Sequence, residues 1–353
     1  MNKPFLDKLR KIDPYVPGEQ PKTTDIIKLN ANENPYPPAP GVLRALREFD
    51  AASLSIYPDA NGMRLKTALA DRFGLKTSQV FLGNGSDDVL ALAFQSFFCS
   101  DKPILYPDIT YSFYPVWCDL FRIPYENMPL DAEFRVNPRD YDKPNGGVIL
   151  PNPNAPTGRG EPLSFIEDIV SHNADSVVII DEAYVDFGAE SAVALLSQYE
   201  NLLIVQTMSK SRSLAGLRVG YALGSETLIA TLEAVKNSYN SYTMDALALA
   251  LGAAAVEDEA YFGETCGKVI ATRDRAAQAM RKLGFTVLPS QSNFLFVTHP
   301  ARAAKEIFEA LRAKNLFIRY FNLPRIDNYL RITIGTDEQM DRLLAALGET
   351  LRA

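Results

Sequence analysis

The chain has 353 residues, a length that predicts about two domains. Its 36 basic and 43 acidic residues give a net charge of −7 without a lysine- or arginine-rich run, which disfavours a nucleic-acid-binding protein. The longest nearly apolar run, 246–256, is too short to span a bilayer, and the N-terminus lacks the apolar segment of a secretory signal. Three widely spaced cysteines are typical of reduced thiols in a cytosol, and two histidines far from any cysteine disfavour a zinc site.

The first forty residues are rich in proline, which removes backbone donors and restricts the residue before it. We therefore predict an extended arm there, without a long helix or a central strand. The arm ends in the segment 29–38, Leu-Asn-Ala-Asn-Glu-Asn-Pro-Tyr-Pro-Pro, whose composition is not that of a disordered chain. A plain linker is the alternative interpretation.

Helical and strand patterns alternate from residue 62 to about residue 240. Helices are predicted over 63–73, ending at Gly74, over 163–172, and from Ser86 onwards. Short apolar runs without polar alternation predict strands that are covered on both faces, as in a parallel sheet. These runs lie at 80–82, 103–106, 147–150, 177–180 and 202–206.

The pattern beyond residue 240 predicts a smaller α+β domain. A long helical stretch, two strands, a helix, two more strands and a final helix follow one another at 245–283, 285–288, 294–297, 301–314, 316–319, 329–334 and from Asp337. The predicted division is an N-terminal arm with a small-domain segment, a large α/β domain and a small C-terminal α+β domain, over 1–44, 45–245 and 246–353.

The first candidate functional segment follows the predicted strand 80–82, because open α/β sheets bind ligands at the carboxyl ends of their strands. It reads Gly-Asn-Gly-Ser-Asp-Asp over 83–88. Its glycines permit a sharp turn, and the unpaired N–H groups and dipole of the following helix suit a phosphate. The segment lacks the third glycine of a dinucleotide fingerprint and the lysine of a P-loop. A tight turn with Ser86 capping the helix is the alternative.

Asp181 and Lys210 each follow a predicted strand and lie 29 residues apart, which is enough for one crossover between parallel strands. Their side chains would then emerge at the same sheet edge, although a simple ion pair would explain these two alone. Tyr184, Ser209 and Arg218 stand close by in sequence. With the glycine-containing turn they supply what pyridoxal phosphate needs: a lysine, an acid for its ring nitrogen, a hydroxyl donor and an anion cradle.

These motifs resemble those of the fold-type I aminotransferases of classes I and II. The segment 207–216, Thr-Met-Ser-Lys-Ser-Arg-Ser-Leu-Ala-Gly, is similar to their lysine motif. Further segments resemble the histidinol-phosphate aminotransferase family along nearly the whole chain, at 30–35, 57–58, 85–87, 153–158, 181–184 and 330–335. The resemblance implies an α/β fold with a mostly parallel sheet sandwiched by helices, plus a smaller α+β domain.

The resemblance also implies pyridoxal 5′-phosphate as the cofactor and gives each matching residue a role. Lys210 would hold the cofactor covalently, and Asp181 would pair with its pyridinium nitrogen. Tyr184 would donate to its phenolic oxygen, and Tyr111 would stack on its ring. The phosphate would be held by Gly85, Ser86 and Asp87 of the turn, the Ser209 hydroxyl and Arg218.

The implied reaction transfers the amino group of L-histidinol phosphate to 2-oxoglutarate in the cytoplasm, with no nucleic-acid or membrane partner. Arg331 would clamp the anionic group of these small-molecule substrates, with Arg319 and Tyr15 as helpers. The family forms homodimers with shared active sites, in which Tyr57 reaches the phosphate of the neighbouring subunit's cofactor. Core packing of Tyr111 and a solvated strand end for Arg319 are the alternatives.

Ala155 departs from the family pattern, in which an asparagine before Pro-Thr-Gly donates to the phenolic oxygen of the cofactor. Either Asn154 reaches in through a local shift, or Tyr184 works without a second donor. We favour the second interpretation, because a one-residue slip on an extended segment reverses the direction of the side chain.

Other functions fit the same residues less well. An aromatic amino-acid aminotransferase shares the chemistry and differs in its carboxylate substrates, and a threonine-phosphate decarboxylase has a similar motif set. Tyr15 and the arm 30–38 favour the histidinol-phosphate interpretation by resemblance. A non-catalytic cofactor-binding regulator usually carries an added DNA-binding domain, which is not expected here, and an NAD-dependent oxidoreductase needs the missing glycine fingerprint.

Overall fold

The computed structural model describes residues 4–15, 18–21 and 25–352. Within these ranges the α-helices are α1 (Pro40–Glu48), α2 (Met63–Phe73), α3 (Ser86–Phe97), α4 (Phe113–Phe121), α5 (Leu163–His172), α6 (Glu226–Tyr239), α7 (Ala246–Glu257), α8 (Glu259–Lys282), α9 (Ala304–Ala313) and α10 (Asp337–Arg352). The strands are β1 (Ile27–Lys28), β2 (Val80–Gly83), β3 (Ile104–Pro107), β4 (Tyr125–Met128), β5 (Gly147–Pro151), β6 (Val178–Asp181), β7 (Leu202–Thr207), β8 (Gly220–Gly224), β9 (Thr286–Val287), β10 (Phe294–Thr298), β11 (Leu316–Phe317), β12 (Arg319–Tyr320) and β13 (Leu330–Thr333).

A seven-stranded sheet forms the centre of the large domain, in the order β2-β8-β7-β6-β5-β3-β4. The pairs from β7 to β4 are parallel, whereas β8 runs antiparallel to both of its neighbours, β2 and β7. The predicted α/β fold with a mostly parallel sheet is confirmed. The predicted strands of this sheet are buried along their whole length, as their lack of polar alternation indicates.

Helices cover both faces of this sheet. Alternate residues of β6 show the two-sided packing: Val178 and Ile180 pack into one apolar cluster, and Ile179 packs into the other. The first cluster takes residues from α1, α2, α5 and α7, and the second takes residues from α3, α4 and α6. Helix α2 has its predicted bounds because Gly74 ends it in the left-handed conformation (φ 66°), with its N–H bonded to the Ala70 carbonyl.

The C-terminal part forms the predicted smaller α+β unit. A four-stranded antiparallel sheet, β12-β13-β10-β9, packs with α8, α9 and α10 around a separate apolar cluster. The N-terminal arm joins this unit, because β1 pairs in parallel with β11 and Leu29 is buried in the same cluster. Among the helices formed by the described residues, none is both long and apolar enough to cross a bilayer.

Helix α7 packs in the large domain. Its buried residues, including Ala248 and Leu251, lie in the first apolar cluster with α2, whereas Val269 of α8 lies in the cluster of the smaller unit. The predicted division at 245/246 stays a prediction. This packing leads us to propose a division near residue 258 instead.

Candidate active site

A cavity of about 260 Å³ lies at the edge of the large sheet where the parallel strands end. Residues of the N-terminal arm and of β12 and β13 form its opposite wall. Eleven of the predicted site residues line this cavity: Tyr15, Ser86, Asp87, Tyr111, Asp181, Tyr184, Ser209, Lys210, Arg218, Arg319 and Arg331. The structure thus brings together residues from both ends of the chain.

The sheet topology explains how these side chains meet. Strand β6 ends at Asp181, which pairs in parallel register with Val205 of β7, so the acid and the lysine segment leave the sheet side by side. The antiparallel strand β8 begins at the same edge, where Gly220 pairs with Gly83 and places Arg218 beside the turn before α3. A methyl group on Gly220 would lie 2.3 Å from the backbone of that turn, so only glycine permits this close approach.

The amine of Lys210 is turned into the cavity, where its Nζ donates to the Ala31 carbonyl at 3.2 Å. The pKa of this amine is lowered to about 8, chiefly by desolvation and then by the charge of Arg331, against opposing contributions from Asp87 and Glu33. The side chain of Asn34 holds the lysine backbone by donating to its carbonyl at 2.9 Å. A lowered pKa increases the neutral fraction that a nucleophilic amine requires.

Asp181 lies buried at the floor of the cavity without a cationic partner among the described residues. Burial raises the pKa of its carboxyl, and hydrogen bonds from the Tyr114 hydroxyl (2.9 Å) and the Ala183 N–H (3.2 Å) oppose this rise, so that the resulting pKa is about 6. The carboxylate therefore remains mostly ionised at neutral pH. It can pair with a cationic ring nitrogen placed in the cavity.

The turn before α3 and the segment around Arg218 form an anion cradle. Gly85 adopts a φ of 88°, and a Cβ there would lie 2.4 Å from the Arg218 guanidinium, so the bare backbone makes room for that side chain. Arg218 donates to the Ser209 hydroxyl at 3.4 Å, beside the N-terminus of α3 at Ser86. A guanidinium, a hydroxyl and free helix N–H groups are the donors that a phosphate group takes.

The negative charge of Asp87 is paired within this cradle. Its carboxylate accepts from the Tyr111 hydroxyl at 2.8 Å and lies 3.5 Å from the Arg218 guanidinium. The Tyr111 ring lines the cavity and also packs edge-on against Tyr114, at a centroid distance of 5.7 Å. Tyr111 therefore contacts both the apolar core and the cavity.

Asn154 does not line the cavity, whereas Ala155 does. The side-chain oxygen of Asn154 accepts from Thr110 at 3.1 Å. Its amide nitrogen donates to the Ile109 carbonyl at 3.0 Å and to Thr157 at 3.1 Å. These bonds occupy the amide away from the site, which favours the interpretation that Tyr184 works without a donor from this segment.

Asn32 contacts Tyr184 and has no counterpart among the predicted site residues. Its amide nitrogen donates to the Tyr184 hydroxyl at 2.9 Å across 152 positions of sequence. Tyr114, which orients Asp181, is a second residue without a predicted role. The asparagine-rich arm sequence was the available signal for Asn32, but a composition pattern does not reveal which side chain it meets.

Two arginines face the cavity from neighbouring strands, since Arg319 and Arg331 are cross-strand partners. Arg331 lies over the rings of Phe294 and Phe321, with guanidinium-to-centroid distances of 5.3 and 5.4 Å. It donates to the Asn30 carbonyl at 3.2 Å, and among the described residues its Nε has no partner. Burial lowers the pKa of this guanidinium, and the charge of Arg319 acts in the same direction.

The remaining predicted residues lie further out. Tyr15 stacks on Phe113 at 4.2 Å and lines the mouth of the cavity. Tyr57 does not line the cavity of its own chain. It is 78% exposed and stacks on Tyr242 at 4.4 Å.

The lowered pKa of Lys210 should affect the stability of the cofactor-free protein. The folded pKa of about 8 lies below the usual 10.5, so burying the charged amine destabilises the fold below pH 8. We expect Lys210→Met to raise the midpoint of thermal unfolding at pH 7 by about 2–4 °C. The difference should shrink as the pH rises from 8 towards 10.5.

Calorimetry across this pH range, with Lys76→Met as the control, tests the prediction. Lys76 is exposed and its pKa is raised by the hydrogen bond to Glu226, so its removal should not stabilise the fold. A Lys210→Met protein that melts below the wild type at pH 7 would contradict the expectation.

The comparisons with known proteins agree with this geometry. The family model for aminotransferase class I and II matches residues 24–347. The chain is 55% identical over 343 residues to histidinol-phosphate aminotransferase 2 of Dechloromonas aromatica, covering 96% of each chain. It is 54% identical over 341 residues to histidinol-phosphate aminotransferase 1 of Hydrogenovibrio crunogenus, covering 97% of this chain and 96% of the relative.

A comparison with a solved structure supports the same family. The crystal structure of histidinol-phosphate aminotransferase from Sinorhizobium meliloti in complex with pyridoxal-5′-phosphate superimposes with a TM-score of 0.82 at 26% identity, over 92% of this chain and 91% of that one. Together with the sequence matches and the lysine, acid and anion cradle around one cavity, this shows the family. The chain belongs to the class I and II aminotransferases and, within them, to the histidinol-phosphate aminotransferase family.

Proposed function

We propose that this chain transfers the amino group of L-histidinol phosphate to 2-oxoglutarate, giving imidazole-acetol phosphate and L-glutamate in histidine biosynthesis. Its family and its fold make it an enzyme that uses pyridoxal 5′-phosphate. When bound, this cofactor supplies an electron-accepting ring and a carbon that carries the amino group between substrates. The donors around the cavity fit its phosphate, and the Asp181 carboxylate fits its ring nitrogen.

The candidate site residues of the large domain each have a proposed role in holding the cofactor. Lys210 is the covalent attachment point, and the ionised carboxylate of Asp181 keeps the ring nitrogen protonated. Tyr184 donates to the phenolic oxygen, and Tyr111 stacks on the ring. The phosphate ligands are Gly85, Ser86, Asp87, Ser209 and Arg218.

Lys210 has a second proposed task as a base. Its Nζ lies within the cavity, and the lowered pKa gives the neutral amine a substantial fraction near pH 8. It would accept the proton from the substrate carbon that bears the nitrogen and hold it as the ammonium group of Lys210.

The two adjacent arginines are the observation that supports histidinol phosphate as the substrate. Arg319 and Arg331 lie side by side on β12 and β13, and neither forms a salt bridge within the described part of the chain. Two adjacent guanidiniums without a carboxylate partner suit a doubly charged phosphate better than a single carboxylate. The planar fork of Arg331 also fits the carboxylate of 2-oxoglutarate, so one residue can serve both halves of the reaction.

Ranked specificity constants test this proposal against an aromatic amino-acid aminotransferase. We expect kcat/KM for histidinol phosphate to exceed that for phenylalanine and tyrosine by at least about 100-fold, since charge-assisted contacts to the phosphate are lost with the other substrates. Arg319→Gln should lower kcat/KM for histidinol phosphate more than for phenylalanine. A preference for the aromatic amino acids, unaffected by this substitution, would instead support the second function.

We further propose a cytoplasmic homodimer with shared active sites, in which Tyr57 reaches the phosphate of the partner subunit's cofactor. The exposed position of Tyr57 outside its own cavity supports this arrangement. Tyr242 stacks on Tyr57, and further exposed apolar side chains near these two in sequence offer a surface for a second copy: Leu54, Ile56 and Tyr239. The three unpaired cysteines support a reducing compartment.

A further inference from the structure

Asn32 occupies an unusual position in the arm. Its side chain is buried (1% exposed), and its backbone adopts a φ of 55°, a left-handed conformation that asparagine and aspartate tolerate better than most residues. The neighbouring carbonyls contact the site directly, because Ala31 accepts from Lys210 and Asn30 accepts from Arg331. Asn32 thus lies in a segment that lines the cavity.

The hydrogen bonds around Asn32 fix the orientation of its side-chain amide. The backbone N–H of Asn32 donates to the Thr333 hydroxyl at 3.0 Å, so that hydroxyl must direct its own hydrogen elsewhere. It donates to the side-chain oxygen of Asn32 at 3.1 Å. Asn293 donates to the Asn32 carbonyl at 3.0 Å and holds the backbone. With its oxygen assigned in this way, the amide nitrogen of Asn32 is the atom that faces Tyr184.

This orientation determines the role of the Tyr184 hydroxyl. The oxygen of Tyr184 already accepts a hydrogen from Asn32, so its own hydrogen points elsewhere. Within the described residues that hydrogen has no protein acceptor, and the ring lines the cavity together with Lys210 and Asp181. Phe294 packs edge-on against the Tyr184 ring at 5.1 Å and an angle of 90°, which restricts its rotation.

We propose that Asn32 is a positioning residue that makes Tyr184 a donor towards the cavity. This inference rests on the proposed function, in which that donor serves the phenolic oxygen of the cofactor. It also accounts for the departure from the family pattern at Ala155. Ala155 has no amide and Asn154 is bonded elsewhere, so the Tyr184 hydroxyl is the donor left for the phenolic oxygen. Asn32 keeps the hydrogen of that hydroxyl directed into the cavity.

The same contacts connect this hydroxyl to the strand that carries the substrate clamp. Thr333, which fixes the Asn32 amide, lies two residues after Arg331 in β13. The direction of the Tyr184 hydrogen therefore depends on the smaller unit as well as on the large sheet. A change in β13 at Thr333 should alter the environment of the cofactor's phenolic oxygen without touching the cofactor.

Asn32→Asp is the substitution that tests the proposal. Aspartate keeps the shape and tolerates the left-handed backbone, whereas alanine would add strain there. Its carboxylate accepts hydrogen bonds and donates none, so it draws the Tyr184 hydrogen away from the cavity. The readout is the pH midpoint of the visible absorbance change of the bound cofactor, which depends on donors to the phenolic oxygen.

We expect Asn32→Asp to raise this midpoint by about one pH unit, the shift that corresponds to one lost charge-assisted hydrogen bond. Tyr184→Phe should raise it by a similar amount. Asn32→Asp also adds a negative charge, so the effect of the donor alone is measured with the uncharged Thr333→Val, whose double variant with Tyr184→Phe should match Tyr184→Phe alone. Thr333→Val, which frees the Asn32 amide to turn, is the second variant if Asn32→Asp does not fold, and it should give a smaller rise that also vanishes with Tyr184→Phe.

The outcomes separate this inference from the proposed function. A wild-type protein without a visible cofactor band would overturn the proposed function itself. A wild-type band that titrates, with a midpoint raised by Tyr184→Phe and unchanged by Asn32→Asp or Thr333→Val, would overturn the role of Asn32 alone. Shifts that add in the double variant would also overturn it, because Asn32 would then act independently of Tyr184.

Discussion

Lys210→Ala is expected to reduce turnover by at least about 10⁴-fold and to remove the visible absorbance band of the bound cofactor in the same variant. The amine is both the covalent attachment point and the base in the proposed reaction, and no other lysine lines the described cavity. Steady-state rates with histidinol phosphate and an absorbance spectrum of the purified protein measure the two effects. Their joint loss is the expected result.

Lys76→Ala is the matched control for this experiment. Lys76 is 74% exposed in its side chain and forms an ion pair with Glu226 on the surface, so both rate and spectrum should remain at wild-type values. Turnover that survives in the Lys210→Ala protein would refute the assignment of the site. A retained visible band would do the same for the covalent attachment.

Asp181→Asn should lower kcat by about 10²- to 10³-fold, because a buried cation left without its carboxylate partner costs about 3–5 kcal/mol. The amide keeps the shape of the carboxyl group and can still accept from Tyr114, whose bond to Asp181 is 2.9 Å long. The loss therefore reports the charge at this position. Kinetics at saturating substrate, with Asp168→Asn on the surface of α5 as the control, measure it.

Unfolding of the cofactor-free protein distinguishes this effect from a folding defect. Burial raises the folded pKa of Asp181 to about 6, above the usual 3.8, so the ionised carboxylate destabilises the fold at neutral pH, and this penalty is lost as the pH falls below 6. Asp181→Asn should therefore be at least as stable as the wild type at pH 7. A variant with low activity and low stability together would point to a structural role.

The strands of the central sheet were predictable from the sequence where burial on both faces left a continuous apolar run. Strand β8 was not predicted, because its Gly-Tyr-Ala-Leu-Gly sequence is short and bounded by glycines that are typical of turns. Strand β4 was not predicted either. Three of its four residues are exposed at the sheet edge, so its sequence shows neither an apolar run nor an apolar-polar alternation. In the described structure β4 pairs with the preceding strand β3, whereas β8 pairs both with the preceding strand β7 and with the distant β2.

The candidate site divides in the same way. Asp181 and Lys210 could be found from the sequence because each follows a predicted strand at the ligand-binding edge, and Arg218 because it stands close to Lys210 in the sequence. Asn32 and Tyr114 could not be found, since their roles depend on contacts made across 152 and 67 positions of sequence. Local patterns identify groups that carry chemistry, whereas the groups that orient them are known only once the chain has folded.

The antiparallel direction of β8 has a consequence for the binding and release of the cofactor. The segment 208–219 leaves the sheet through β7 and returns through β8, and it is closed at its base by the bond from the Met208 N–H to the Val219 carbonyl at 3.0 Å. In the proposed function it carries the lysine that attaches the cofactor and the guanidinium of the anion cradle, so both ends of the cofactor would be held by one loop. Residues 30–33 and β12–β13 line the facing wall of the cavity, and we expect the exchange rate of the cofactor to depend on how far the two units separate.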